Sequence, residues 1–238
     1  MAELDLQWYN IQEKARDFMG YTYDYINGTD IYLYQDEAMF RMNSDTALLA
    51  QFMKIKRNER VLDIGTNNGA LLAMANTYAP KSLIGIDIQE KAVELARYNM
   101  KHLHILNAQI LLGDVKDMKM PKVDVVVANP PYFPDHATSA KNETEALRIA
   151  RHEIYLTLPT LVKKASEALD EKGRFYLVHR SDRLIDIVTT LRTYRLETRS
   201  IQFVYDENKA EAITVLIEAI KDGMPNCHIL KPIYKTRS

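Results

Sequence analysis

Val123-Asp124-Val125-Val126-Val127-Ala128-Asn129-Pro130-Pro131-Tyr132-Phe133 is the stretch on which the reading of this chain turns. Its apolar run, with three consecutive valines and a proline stop, reads as a strand buried on both faces, as inner strands of parallel sheets are. Two adjacent prolines then fix φ, supply no N–H donors and hold Asn129 extended. The strand's carboxyl end is left with acceptors, namely the Asn129 side-chain oxygen and the carbonyls of Pro130 and Pro131, followed at once by the rings of Tyr132 and Phe133. Rigid acceptors beside a stacking ring suit a planar guest with an exocyclic NH2 group. They can bind its hydrogens, draw the nitrogen lone pair out of conjugation and hold it for attack. A proline-rich strand end whose aromatics only cap the sheet is the plainer reading; the valine run before it and the asparagine at its head favour the binding corner.

Upstream, Arg60-Val-Leu-Asp63-Ile-Gly65-Thr66-Asn67-Asn68-Gly69 followed by Ala70-Leu-Leu-Ala-Met-Ala-Asn76 reads as strand, tight turn and helix. Gly65 permits the sharp bend and Gly69 the close approach of a ligand to the helix start. Asp63 at the strand end can bind a ligand cation. The turn holds two glycines and no basic residue, which disfavours a nucleotide pyrophosphate. Leu83 to Ile88 is a second strand, and its Asp87 follows Asp63 by 24 positions, near the spacing at which a carboxylate reaches a ribose diol. A helix over Glu90 to Met100 and a third strand, Ala108 to Asp114, come next. With the valine strand as the fourth, βα alternation implies a parallel sheet with right-handed crossovers. Asp63, Asp87, Asp114 and Asn129 then converge on one crevice.

Downstream, residues 134–144 are a polar loop leading into a helix from about Glu145 to Leu169, kinked or broken at Pro159. Arg148, Arg151 and His152 share one face of that helix, either as a solvated surface or as a phosphate-contacting patch at the crevice rim. Gly173 to Val178 is a fifth strand, followed by His179, Arg180 and a helix to about Arg192. Leu196 to Val204 and Ala212 to Ala219 are the last two strands, paired through the turn at Asp206-Glu207-Asn208. Residues 141–203 carry 12 Lys/Arg against 9 Asp/Glu, a basic tilt compatible with touching a nucleic-acid backbone.

Toward the amino end, Leu4, Leu6, Ile11, Ala15 and Phe18 could line one helix face, and the run through Tyr21, Tyr23 and Tyr25 ends in an Asn27-Gly28 turn. Asp30 to Gln35 and Met39 to Met42 read as the arms of a hairpin, and Asn43-Ser44-Asp45 as the cap of a helix from Thr46 to Met53. A charged linker, Lys54 to Glu59, divides an amino-terminal extension (1–55) from the main domain (56–238). The length of 238 residues fits one large domain, and 47% hydrophobic with 26% charged residues is ordinary for a globular chain. With a net charge of −1, any nucleic-acid surface must be a local patch. The single Cys227 excludes an internal disulfide framework or thiolate cluster, and no metal site is expected. The acidic start and the lack of a membrane-length apolar run point to a cytoplasmic protein without membrane association, and nothing suggests an obligatory protein partner.

Together these segments resemble the class I S-adenosylmethionine-dependent methyltransferases over roughly residues 60–219, with Asp63-Ile-Gly-Thr-x-x-Gly69 in the first motif and Asn129-Pro-Pro-Tyr132 in the fourth. The latter resembles the motif of enzymes that methylate planar nitrogens. The flanks Ile31-Tyr-Leu-Tyr-Gln35, Phe40 to Leu49, Ala150-Arg-His-Glu153, Leu177-Val-His-Arg180 and Lys209-Ala210 are most similar to the tRNA1(Val) adenine-N6-methyltransferase family. Asn67 departs from it, standing where glycine is common, though asparagine tolerates unusual φ. The resemblance implies a Rossmann-like α/β fold: a seven-stranded, mostly parallel sheet with an antiparallel last strand, helices on both faces, and a short hairpin and helix extension. It implies S-adenosylmethionine as cofactor, with Asp63 and the Gly65-Thr66-Asn67-Gly69 turn facing its methionine part. Asp87 and Ile88 would meet the ribose, Asp114 and Val115 the adenine, and Asp45 would close the pocket. Asn129, Pro130, Pro131 and Tyr132 would hold the target base. Phe133, Arg148, Arg151, His152, Arg180 and Lys209 would touch the RNA, from which an unpaired loop base costs least to extract. Alternatives are methylation of a protein glutamine amide or an rRNA guanine N2, and a non-catalytic cofactor- or RNA-binding module.

Overall fold

The computed structural model describes residues 21–36, 39, 42–130 and 156–235. The expected helix over residues 4–18, positions 40 and 41 of the expected hairpin arm, the loop at 134–144, the helix start near 145 and the last three residues lie outside these ranges.

Two strands, β1 (Tyr21–Tyr25) and β2 (Tyr32–Asp36), and a helix, α1 (Ser44–Phe52), precede the main sheet. Then follow β3 (Arg60–Ile64), α2 (Ala70–Asn76), β4 (Ser82–Asp87), α3 (Glu90–His102), β5 (Ala108–Leu112) and β6 (Val123–Ala128). After residue 156 come α4 (Leu158–Ala168), β7 (Leu169–Arg180), α5 (Leu184–Thr193), β8 (Leu196–Asp206), β9 (Ala212–Lys221), β10 (His228–Ile229) and β11 (Ile233–Lys235). The sheet runs β10-β8-β9-β7-β6-β3-β4-β5, with β11 also on β8. β3 through β7 pair in parallel, and β9 is antiparallel to both β7 and β8. This is the expected Rossmann-like arrangement, with its antiparallel strand placed inside the sheet.

The valine strand is the middle of it. Val123, Val125, Val126, Val127 and Ala128 are fully buried. Alternate side chains serve opposite layers: Val125 and Val127 pack with α1, α2 and α3, and Val126 and Ala128 with α4 and α5. Each such valine, taken out of water, contributes about 2 kcal/mol before ordering costs. At the amino end of the strands, Arg60 grips Asp124 twice, Nε to Oδ2 at 2.9 Å and a terminal nitrogen to Oδ1 at 2.7 Å, and reaches Asp170 at 2.6 Å. The forked guanidinium matches a carboxylate, so one residue ties β3 to β6 and to the start of β7.

Three expectations need correction: the hairpin arms, the number of strands and the start of β7. The hairpin joins β1 to β2, with Tyr23 opposite Tyr34 and Tyr25 opposite Tyr32, and Gly28 at φ +82° helps turn the chain between them. Tilted ring contacts between the opposed tyrosines, and stacking of Tyr23 on Tyr32 across the diagonal, support this register. The segment read as the second arm, described at Met39 and Met42, is not strand there; the Met42 N–H donates to the Gln35 side chain at 2.7 Å. The sheet has nine strands rather than seven, because β10 and β11 extend its β8 edge. The break expected at Pro159 is met just ahead of it: residues 156–157 are not helical, Thr157 caps α4, and Pro159 stands in its first turn, where a missing N–H costs nothing. Finally, β7 starts at Leu169, ahead of Gly173, with a register shift opposite Val123 and Val125.

Candidate active site

The expected site falls at the carboxyl ends of the neighbouring parallel strands β3, β4 and β6, and the loop after β3 turns sharply there. Gly65, Asn67 and Gly69 all have left-handed backbone, at φ +77°, +47° and +84°. Three such residues within five curl the loop, whose Gly65 and Thr66 N–H groups donate to the Ile86 carbonyl, and Asn67 meets the demand that a glycine would. A Cβ on Gly69 would lie 2.9 Å from the Met100 side chain, so α3 packs hard against the start of α2. On the opposite side of the loop, a Cβ on Gly65 would meet nothing within 4 Å, which leaves space beside the backbone.

Asp63 is buried, opposite Gly85 in the β3–β4 ladder. Its Oδ2 accepts from the Thr66 hydroxyl at 2.9 Å, and Gly85 makes room for that hydroxyl, since a Cβ there would come within 2.8 Å of it. Its Oδ1 has no hydrogen-bond partner among the described residues. Burial pushes the Asp63 pKa up to about 7, against the pull of the Thr66 hydrogen bond, and the charge of Asp87 adds to the rise. Asp87, also buried, accepts from the Asn67 N–H at 2.9 Å and the Gln89 N–H at 3.0 Å, locking the loop to the end of β4. A carboxylate with one orphaned oxygen, beside a curled loop with open space, fits a ligand ammonium, and hence the amino-acid end of S-adenosylmethionine.

The other expected cofactor residues are spread more widely. Ile88 is exposed just past Asp87, and Val115 is packed in the α4–α5 layer. Asp114 accepts from the Lys116 N–H at 2.9 Å and pairs with the Lys116 ammonium at 3.2 Å. Asp45 forms an ion pair with Lys235 of β11 at 2.8 Å, and the same ammonium reaches the Ser44 hydroxyl. Asn129 and Pro130 follow directly on β6, both partly buried. The Asn129 amide Nδ2 donates to the Thr46 hydroxyl on α1 at 2.9 Å. Arg180 ends β7 and pairs with Asp182; Lys209 sits exposed in the β8–β9 turn. Pro131, Tyr132, Phe133, Arg148, Arg151 and His152 lie outside the described residues.

Sequence reasoning passed over three positions. Thr46 read only as the first residue of a capped helix. Asn99, fully buried, binds the backbone N–H and C=O of Tyr34 at 2.9 and 3.0 Å and donates to the Asn68 carbonyl at 2.9 Å. It therefore joins the hairpin to the ligand loop, and a lone asparagine on the apolar face of α3 was the available signal. Lys235 gave none, because its partner is 190 residues away. His179, buried at the end of β7, is held neutral by burial, which lowers its pKa to about 4.

Residues 33–204 match the methyltransferase small domain family. A protein of Phocaeicola vulgatus named tRNA1(Val) (adenine(37)-N6)-methyltransferase is 27% identical over 199 residues, 83% of each chain. Proteins of the same name from Bacteroides thetaiotaomicron and Parabacteroides distasonis are 26% identical over 181 residues and 30% identical over 162. The first alignment covers 72% of this chain and 73% of that relative, the second 65% and 67%. Among solved structures, one described as M. jannaschii tRNA m1G37 methyltransferase superposes with TM-score 0.64 at 16% identity, covering 86% of this chain and 57% of that one. YcgJ of Bacillus subtilis gives 0.54 at 15%, covering 76% and 99%. These structural likenesses concern the fold. The chain belongs to the methyltransferase small domain family.

Proposed function

We propose that this protein transfers a methyl group from S-adenosylmethionine to the exocyclic N6 of an adenosine in tRNA, at position 37 beside the anticodon of tRNA(Val), in the cytoplasm. One observation supports the reading: β3 and β6 are neighbouring parallel strands, so Asp63 near the carboxyl end of one and Asn129 just past the carboxyl end of the other stand on the same edge of the sheet. The names of the relatives supply the substrate. Residues 1–55 act as an extension carried on residues 56–238.

When bound, S-adenosylmethionine supplies an electrophilic methyl on a sulfonium. Asp63 takes the ammonium of its amino-acid end, and the loop Gly65–Gly69 encloses that end. Asp87, already oriented by two backbone N–H groups, offers its remaining acceptor capacity to the ribose hydroxyls. Asn129 and the Pro130 carbonyl accept from the target amino group, and Tyr132 stacks on the base. Those hydrogen bonds favour a tetrahedral nitrogen aligned for in-line attack, and the proton it sheds passes to solvent. Arg148, Arg151, His152, Arg180, Lys209 and Phe133 contact the RNA.

The test is transfer of tritiated methyl to unmodified bulk tRNA, protein and DNA, followed by mass spectrometry of the labelled nucleoside. The expected product is N6-methyladenosine at position 37. Label in protein glutamine or as N2-methylguanosine would replace the reading, and no transfer to any acceptor would leave a binding module.

A further inference from the structure

We propose that Thr46 is a positioning residue for methyl transfer, its hydroxyl fixing which end of the Asn129 amide faces the acceptor. The inference rests on Asn129 binding the target amine. An asparagine side chain presents an acceptor at one end and donors at the other, in nearly the same shape, and its last torsion is broad and roughly two-fold. Rotated by half a turn, Asn129 would aim N–H groups at an amine that needs an acceptor. Burial of the strand does not decide between the two orientations; the hydrogen bonds that reach the amide do.

Those hydrogen bonds have a fixed sense, set at the amino end of α1. The Asn43 side-chain oxygen accepts from the backbone N–H of Asp45 at 3.0 Å and of Thr46 at 3.1 Å. Backbone N–H groups only donate, so this end of Asn43 is its oxygen. The Thr46 hydroxyl donates to that same oxygen at 3.4 Å. With that hydrogen directed at Asn43, the hydroxyl oxygen accepts from Asn129, whose Nδ2 donates to it at 2.9 Å. The Asn129 oxygen is thereby turned from α1. Thr46 is itself buried, and Lys235 pins the preceding two residues, so the turn that sets this sense is held on both sides.

The experiment compares Thr46→Val, which keeps shape and loses the hydroxyl, with Thr46→Ser, which keeps the hydroxyl; Thr46→Ala is a second hydroxyl-free variant should valine disturb the fold. Thr46→Val is expected to lower kcat about 10-fold while cofactor Kd stays within about two-fold, and Thr46→Ser to remain near wild type. On an Asn129→Ala background, Thr46→Val should cost nothing further, because the two act as one unit. Wild-type kcat in Thr46→Val, with Asn129→Ala inactive, overturns the inference alone. An equal loss in Thr46→Ser assigns the effect to packing and overturns it too. An active Asn129→Ala overturns the reading of Asn129 instead.

Discussion

On the β3–β4 side of the crevice two carboxylates, Asp63 and Asp87, lie buried on neighbouring strand ends, whereas on the β6–α1 side Asn129, Thr46 and Asn43 form a chain of uncharged groups. The first wall suits a cation, whose charge relieves the cost of a buried, partly unsatisfied carboxylate. The second suits a neutral amine, which needs an acceptor but no counter-charge. A carboxylate at position 129, beside the strand that carries the buried Asp63, would be pushed toward its protonated form and could then present a donor where an acceptor is needed. The neutral wall therefore depends on orientation, and the charged wall on ionisation.

The comparison breaks most visibly at Asn129. Asn129→Ala should lower turnover on tRNA by about 100- to 1000-fold, the scale for loss of one oriented polar group at a reacting centre, while calorimetry shows cofactor affinity nearly unchanged. Asp63→Asn should do the reverse, weakening cofactor binding by about 10- to 100-fold through loss of a charge-assisted hydrogen bond. It should also raise the melting temperature of the cofactor-free protein at pH above about 7 by about 3 °C, since a charged group no longer has to be buried.

Ionisation of Asp63 gives a pH dependence that the neutral wall does not share. Its pKa in the fold is about 7, above the ordinary carboxylate value, so the folded protein holds a proton that the unfolded chain has already released. Stability of the cofactor-free form from this group therefore falls as pH rises through the interval from about 4 to about 7. An ammonium ligand favours the ionised carboxylate, so cofactor affinity should rise with pH through about 7, by up to about tenfold per unit below it. Titration calorimetry across that range checks the sign; flat affinity would remove Asp63 from the cofactor site. The smallest effect is expected at the other end of the strands. Arg60→Ala should cost about 1 kcal/mol of stability, given the partial exposure of Arg60 and its partners, with kcat unaltered.

Much of this architecture was legible in local pattern. Strand β6, the glycine-bearing turn after β3 and the carboxylates that end β3 and β4 are decided by neighbours a few residues apart, and hydrophobic periodicity with turn chemistry reports on such distances. The hairpin arms were misplaced because the tyrosines of β1 alternate with Thr22 and Asp24 and carry no aliphatic signal, so only pairing with β2 identifies them as strand. β10 and β11 are too short to announce themselves, and exist as strands only because the β8 edge offers unpaired backbone groups.

By itself, then, the amino-acid sequence determined the parallel core and the placing of Asp63, Asp87 and Asn129 at or next to the carboxyl ends of β3, β4 and β6. Only the tertiary structure decided that one Asp63 carboxylate oxygen is without a hydrogen-bond partner among the described residues, that Asn99 joins the hairpin to the loop after β3, and that the Asn129 amide donates to the Thr46 hydroxyl. The physical reason is range. Burial and strand order follow from side-chain character repeated along the chain, whereas the direction of a hydrogen bond between residues 83 positions apart depends on how two finished elements come to rest against each other.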